Sequence, residues 1–335
     1  MTDHAPRLVA VTGAEGFIGS HLVEMLVAAG SRVRAMVLYN SFNSWGWLDT
    51  LPAEVMDQVE VVLGDVRDSR SVMDFADGAE CIYHLAALIA IPYSYQAPAS
   101  YVETNVRGTL NVLEAARILE TPRVVHTSTS EVYGTAQSVP IDETHPLQAQ
   151  SPYSGSKIGA DKMVESYHLS FGLQVVTLRP FNTYGPRQSA RAVIPTVIAQ
   201  LAAGKELIQL GATDPTRDFL FVADTAAAFR AVGEAPAESV VGRVLNAGTG
   251  SEVSIGQLVE LIGEIMDRPV RVEQAQERIR PAASEVMRLV CDASQLRAAT
   301  GWTPAVTLRE GLTRTVAWFS EAGNLARYKP DIFNL

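Results

Sequence analysis

One stretch constrains the fold of this chain more than any other. Gly13-Ala14-Glu15-Gly16-Phe17-Ile18-Gly19 follows a short β-rich run at residues 7–12 and opens a helical pattern over residues 17–29. Small residues at such a turn let backbone amides approach a pyrophosphate, and the helix N-terminus adds about half a positive charge. The last glycine permits close packing of helix on strand. The spacing is G-x-x-G-x-x-G rather than the commoner G-x-G-x-x-G, but the physics is shared. Alone, it is also compatible with an ordinary tight turn. Between a strand and a helix it points to dinucleotide binding, with Gly13, Gly16, Phe17, Ile18 and Gly19 as candidate cofactor residues.

The alternation continues for about 180 residues. Strand-like runs at 32–38, 59–63, 81–87, 124–127 and 173–178 are separated by helical patterns that include 97–119 and 151–171. This alternation predicts a doubly wound parallel α/β sheet of the Rossmann type. At 335 residues the chain exceeds the usual single-domain size. We expect a dinucleotide-binding domain over 1–180, to which 220–250 returns, and a smaller mixed α/β substrate-binding lobe over most of 181–335.

Hydrophobic content of 47% against 19% charged residues fits a globular protein, and the net charge of −10 disfavours nucleic acid or an anionic membrane as partner. Cys81 and Cys291 sit in apolar runs and read as buried thiols of a reducing compartment. No run approaches the roughly 20 apolar residues of a membrane span, and the N-terminus lacks a signal-like apolar core. The cytoplasm is the expected location. The six histidines show no ligand spacing, so no metal is expected.

The end of the second strand reads Val37-Leu38-Tyr39-Asn40. It carries neither the acid that takes the ribose of NAD nor the arginine that takes the 2′-phosphate of NADP. Asn40 can bond a ribose, which favours NAD and leaves NADP open. Asp65, after the third strand, is placed to accept from adenine or else to cap the next helix, a role Asp68 can fill equally. Leu85, Ala86 and Ala87 leave room for ribose and phosphates, while His84 reads as a core histidine. Trp45-Gly46-Trp47 reads as a hydrophobic plug or as a wall beside the ligands.

The chemistry is expected at Thr129, Glu131, Tyr153 and Lys157. Tyr153 and Lys157 are four residues apart, on one helical face. An ammonium beside a phenol favours phenolate and is expected to lower the Tyr153 pKa. Thr129 can relay the proton, and Glu131 adds a second base.

Taken together, these elements resemble the extended short-chain dehydrogenase/reductase family, in its nucleotide-sugar epimerase/dehydratase branch. The matching runs are Thr12 to His21, Gly64-Asp65-Val66, His84 to Ala87, Thr104 to Thr109, Tyr153 with Lys157, Leu178 to Asn182, and Arg217-Asp218-Phe219. Thr129-Ser130-Glu131-Val132-Tyr133-Gly134 resembles the 4,6-dehydratase signature, with Ser130 where many hexose dehydratases carry aspartate. The loop at 39–48, Ile91 to Tyr95, Arg280-Pro281 with Ser284-Glu285-Val286, and the tail from Tyr328 look most like dehydratases of nucleotide-activated N-acetylglucosamine, the legionaminic-acid-pathway type.

The resemblance implies bound NAD, contacted also by Val66 and Thr104. It implies a nucleotide-diphosphate sugar as substrate, with its diphosphate held by Asn182, Arg217 and Arg280. It further implies an acid–base role for Ser130 or Glu131 in elimination, and a homodimer through the helices near 97–119 and 151–171. The alternatives are a nucleotide-sugar 4-epimerase and, from another class, a non-catalytic dinucleotide-sensing protein.

Overall fold

Seven apolar runs become the strands of one sheet in the computed structural model, which describes residues 7–279 and 281–329. They are β1 (Leu8–Thr12), β2 (Arg32–Val37), β3 (Val59–Leu63), β4 (Cys81–His84), β5 (Val124–Thr127), β6 (Val175–Pro180) and β7 (Val244–Ala247). Their order is β3-β2-β1-β4-β5-β6-β7, and every pair is parallel. β4 and β6 are buried along their whole length. Strands covered on both faces read as continuous apolar runs rather than as alternation. The order reverses between β1 and β4, and ligands of such sheets bind at the carboxyl ends beside that reversal.

Five helices cover the sheet: α1 (Phe17–Ala28), α2 (Ser69–Ala76), α3 (Gly108–Ile118), α4 (Pro152–Phe171) and α5 (Val222–Glu234). Leu22, Val23 and Leu26 of α1 share one core with Ala226, Phe229 and Val232 of α5. Val72 and Phe75 of α2, Val112 and Leu113 of α3, and Val164 of α4 fill another. α4 starts sharply, because Ser151 and Ser154 form a reciprocal capping box and Pro152 follows the cap. It ends at Gly172, whose φ of +67° is accessible to glycine at little cost.

The helix expected over 97–119 is not continuous. A short α-turn, Pro98–Tyr101, passes into a π-helical segment, Val102–Arg107, before α3 begins. Inside the wide turn the buried Asn105 amide accepts from Leu88 N–H and donates to Leu88 O and Ser156 Oγ, all at 2.9 Å. Such interruptions favour functional sites, and this one ties the loop after β4 to the start of α4.

The remaining chain builds a second lobe. Asn182–Tyr184 pairs with Phe219–Phe221, and Thr216–Arg217 lies between Val253–Ser254 and Arg288–Leu289. Helices Val193–Ala202, Ile255–Met266 and Leu308–Ser320 enclose a core that includes Tyr184, Phe221, Ile262 and Phe319. Trp47 meets Trp318 of the last of these helices edge-on, with ring centroids 5.5 Å apart. Trp47 is thus the plug between lobes, whereas Trp45 is 40% exposed. Cys81 and Cys291 are buried free thiols. No helix among the described residues is long and apolar enough to cross a membrane.

Candidate active site

The glycine loop and the chain after β4 are fitted to each other. Gly13 has φ +67°, and a Cβ on it would come within 2.8 Å of the Ala86 nitrogen. Thr12 Oγ1 accepts from the Leu85 and Ala86 amides at 3.1 Å and bonds His84 Nδ1 at 2.8 Å. His84 Nε2 is 3.1 Å from Thr109 Oγ1, and burial holds the imidazole well below its ordinary pKa, so it serves as a neutral core brace. A Cβ on Gly19 would collide with Gly13 O, so α1 lies directly on the loop. Gly16 caps α1 without any side-chain bond, leaving its first amides available to an anion. These features fit a dinucleotide, which Gly13, Gly16, Phe17, Ile18, Gly19, Leu85, Ala86 and Ala87 would hold.

Other expected cofactor residues lie differently. The Asn40 amide is committed to its own loop: Nδ2 donates to Ser44 O at 2.8 Å and Oδ1 accepts from Phe42 N–H at 3.1 Å. Its expected ribose bond therefore competes with an Asx-type turn. Asp65 pairs with Arg67, Oδ2 to Nη2 at 2.5 Å, and this partner holds its carboxyl below the usual range. Asp68 takes the cap of α2. Val66 is buried against the position of Gly108, and Thr104 is half-buried in the π-helical segment.

Thr129, Glu131, Tyr153 and Lys157 come together at the ends of β5 and α4. Thr129 caps a 3₁₀ turn, Ser130–Tyr133, by accepting the Glu131 amide at 3.2 Å. Its hydroxyl also faces the Tyr153 phenol, close enough to lower that group's pKa, and Glu131 is close enough to raise it. Lys157 Nζ donates to Thr127 O at 2.6 Å.

The expected effect of Lys157 on Tyr153 is corrected by this geometry. Burial dominates and pushes the phenol above the ordinary tyrosine value, while the ammonium is held by a backbone carbonyl. Burial also brings Lys157 down to about 8, with Asp161 opposing. Ser130, expected near the chemistry, is buried at 2% exposure.

A buried network lies under the pair, and sequence reasoning missed it. Asp161 accepts from Ser128 Oγ at 2.8 Å, from Arg179 Nη2 at 2.8 Å and from His126 Nε2 at 3.2 Å. Arg179 also donates to Tyr133 Oη, which donates to Asn246 Oδ1. A signal existed: Tyr153, Lys157 and Asp161 recur every four residues along one face of α4.

On the other lobe, Asn182 Oδ1 is shielded and has no hydrogen-bond partner among the described residues. Arg217, expected to clamp a diphosphate, is 7% exposed and reaches Glu285 Oε1 at 3.3 Å. Arg280 lies outside the described residues. The segment after it is tied to two others: Ser284 Oγ bonds Tyr95 Oη at 2.5 Å and Gln150 O at 2.6 Å. The Gln150 amide donates to Ala283 O at 2.9 Å. Segments distant in sequence, 91–95 and 283–285, thus meet at one edge of the site.

A parallel sheet of this order, with a glycine loop after β1 and a Thr–Tyr–Lys set after β5, defines a short-chain dehydrogenase/reductase. Residues 10–315 match the family model described as GDP-mannose 4,6 dehydratase. The chain is 33% identical to a dTDP-glucose 4,6-dehydratase of Xanthomonas campestris, over 92% of each. Its structure is similar to that of a DesIV double mutant, a dTDP-glucose 4,6-dehydratase of Streptomyces venezuelae solved with NAD bound, with TM-score 0.84, 29% identity, and 94% of this chain and 97% of that one covered. A UDP-N-acetylglucosamine 4-epimerase of Methanobrevibacter ruminantium is similar too, with TM-score 0.83, 29% identity, and coverage of 94% and 99%. The chain belongs to the NAD-dependent epimerase/dehydratase family, whose members among these relatives act on nucleotide sugars.

Proposed function

We propose that the protein is a nucleotide-sugar 4,6-dehydratase, converting a nucleoside-diphospho-N-acetylglucosamine to its 4-keto-6-deoxy product. The observation that carries this reading is Glu131, a carboxylate held by the Thr129-capped turn within electrostatic reach of Tyr153. A Tyr–Lys pair alone moves a proton while hydride moves. A second base beside it is what elimination across carbons 5 and 6 requires.

Tyr153 takes the proton of the sugar 4-hydroxyl, with Thr129 relaying it and Lys157 fixed behind by Thr127. NAD, when bound, supplies the hydride acceptor and later the hydride donor of an internal redox cycle. The 4-keto group acidifies the hydrogen at carbon 5, which Glu131 removes, and the 6-hydroxyl departs as water. Ser130 or protonated Glu131 assists that departure. Asn182, Arg217 and Arg280 are proposed to face the substrate diphosphate, where guanidinium suits phosphate geometry. Thr104 and Val66 are proposed to border the cofactor. The likeness of Ile91 to Tyr95, Arg280-Pro281 and Ser284-Glu285-Val286 to N-acetylglucosamine dehydratases supports the sugar assignment, and the bond between Tyr95 and Ser284 fits it. Exposed Ile118, Leu169 and Phe171 support a homodimer through α3 and α4. The expected location is the cytoplasm.

Ser130 favours one competitor, a 4-epimerase, because a serine at that place leaves the turn without the second acid of many hexose dehydratases. The test is incubation of purified protein with UDP-, GDP-, dTDP- and CDP-activated sugars, read by mass. Loss of one water from an N-acetylglucosamine nucleotide supports the proposal. An isomer of unchanged mass replaces it with epimerisation, and no turnover of any sugar supports the sensing protein.

A further inference from the structure

The carboxyl end of β2 carries no acid, yet an acid at that place normally accepts the adenosine ribose hydroxyls. The fold brings one there from another segment. Glu15, in the middle of the glycine loop, reaches across so that its Oε1 accepts the Leu38 amide at 3.1 Å. Its Oε2 is shielded and has no hydrogen-bond partner among the described residues.

The residue is gripped from its other side as well. Trp47 N–H donates to Glu15 O at 3.0 Å, and Gly46 packs so closely that a Cβ there would lie 2.7 Å from the same oxygen. Burial raises the Glu15 carboxyl, opposed by the bonds from Leu38 and from its own amide. Arg34 of β2 is committed to Glu60 at 2.9 Å and to the carbonyls of Phe75 and Asp77, and no cation among the described residues contributes to the shift of the Glu15 carboxyl.

We propose that Glu15 is the acid that accepts the adenosine ribose hydroxyls of the bound dinucleotide and, by its charge, sets a preference for NAD over NADP. An ionised carboxylate offers about four acceptor positions, and protein amides fill only part of them here. A ribose hydroxyl completes the set and satisfies the orphaned oxygen, whose isolation is otherwise unfavourable. A 2′-phosphate at the same place would bring two anions together, which disfavours both charges. The residue immediately before the second glycine of the loop therefore does the work usually assigned to the end of the second strand. This needs only dinucleotide binding and stands whichever sugar reaction the enzyme performs.

The test is calorimetric titration of the purified full-length chain with NAD, NADP and 2′-deoxy-NAD, for wild type, Glu15→Gln and Glu15→Ala. Glu15→Gln keeps an acceptor for Leu38 and so preserves the loop; melting curves check the fold of both variants. Wild type is expected to bind 2′-deoxy-NAD about tenfold more weakly than NAD, the worth of one charge-assisted hydrogen bond. The NAD-to-NADP affinity ratio is expected to fall about tenfold or more in Glu15→Gln, mostly through tighter NADP binding. A ratio that changes by less than about threefold overturns the proposal, as does a wild type indifferent to the 2′-hydroxyl, a result that needs no variant to fold.

Discussion

Asp161→Asn tests the buried network in the most direct way. The wild-type carboxylate side chain is 5% exposed, and the Arg179 guanidinium opposite it is 4% exposed. Asparagine has the same size and keeps an acceptor for Ser128, but it strands the guanidinium beside a neutral amide. Removing one partner of a buried pair costs about 3–5 kcal/mol, a large share of the roughly 5–15 kcal/mol that holds a domain folded.

Proton linkage gives a second, smaller figure. Burial alone would raise the Asp161 carboxyl; the bond from His126 and the charge of Arg179 outweigh it and leave the group at about 2, against 3.8 ordinarily. A shift of about two units corresponds to roughly 2–3 kcal/mol at neutral pH. The folded pKa is depressed, so this stability is fully present above about 4 and is lost as pH falls toward about 2.

The assay is urea denaturation of wild type, Asp161→Asn, Arg179→Met and the double variant at neutral pH, repeated for the first two down to acid. The double variant should be more stable than the two single losses added together, because the stranded charge is gone. An Asp161→Asn protein within about 1 kcal/mol of wild type, as for an exposed ion pair, refutes the reasoning. Strict additivity in the double variant does so too.

Three other outcomes are expected. Glu131→Gln should lower formation of the dehydrated product by about 10²–10⁴-fold while reduced nicotinamide still accumulates in single turnover; normal product yield removes Glu131 from the mechanism. Burial lowers the Lys157 pKa to about 8, so denaturation curves should show stability rising as pH climbs from about 8 toward the ordinary lysine value, where the unfolded chain still holds the proton; a flat curve over that range refutes the reading. Gly19→Ala places a Cβ on Gly13 O, so melting should reveal a loss of about 1–3 kcal/mol, and NAD titration a loss of binding.

What the sequence disclosed was governed by periodicity and punctuation. Buried runs such as Val175–Pro180, with a glycine turn directly after the first strand, announced the parallel sheet. The pairing of Leu207–Leu210 with Arg271–Gln274 went unseen, because every residue of the second strand is exposed and no apolar alternation marks it. The π-helical segment was hidden for a related reason: Val102, Val106 and Leu110 keep helical spacing, while the widening is recorded only in how Asn105 bonds Leu88. At the site, Tyr153 and Lys157 were visible as a pair. The direction of the Tyr153 pKa shift was not, since burial and the capture of Lys157 by Thr127 are tertiary facts. For Asn40 the sequence showed an amide able to bond a ribose, but not that its own turn competes for the same atoms.

The ring contact between Trp47 and Trp318 bears on timing. Trp47 also carries Arg327 over its ring at 5.3 Å, so the turn that grips Glu15 is itself fastened to the far end of the chain. Parting those rings would move the turn that holds the glycine loop, so exchange of a dinucleotide seated there is expected to follow that opening. The internal redox cycle proposed above, which returns the cofactor to its starting state each turnover, would gain from slow exchange. Its cofactor would behave as a resident component, carried through purification and dilution, and the free pool would matter only when the protein first assembles.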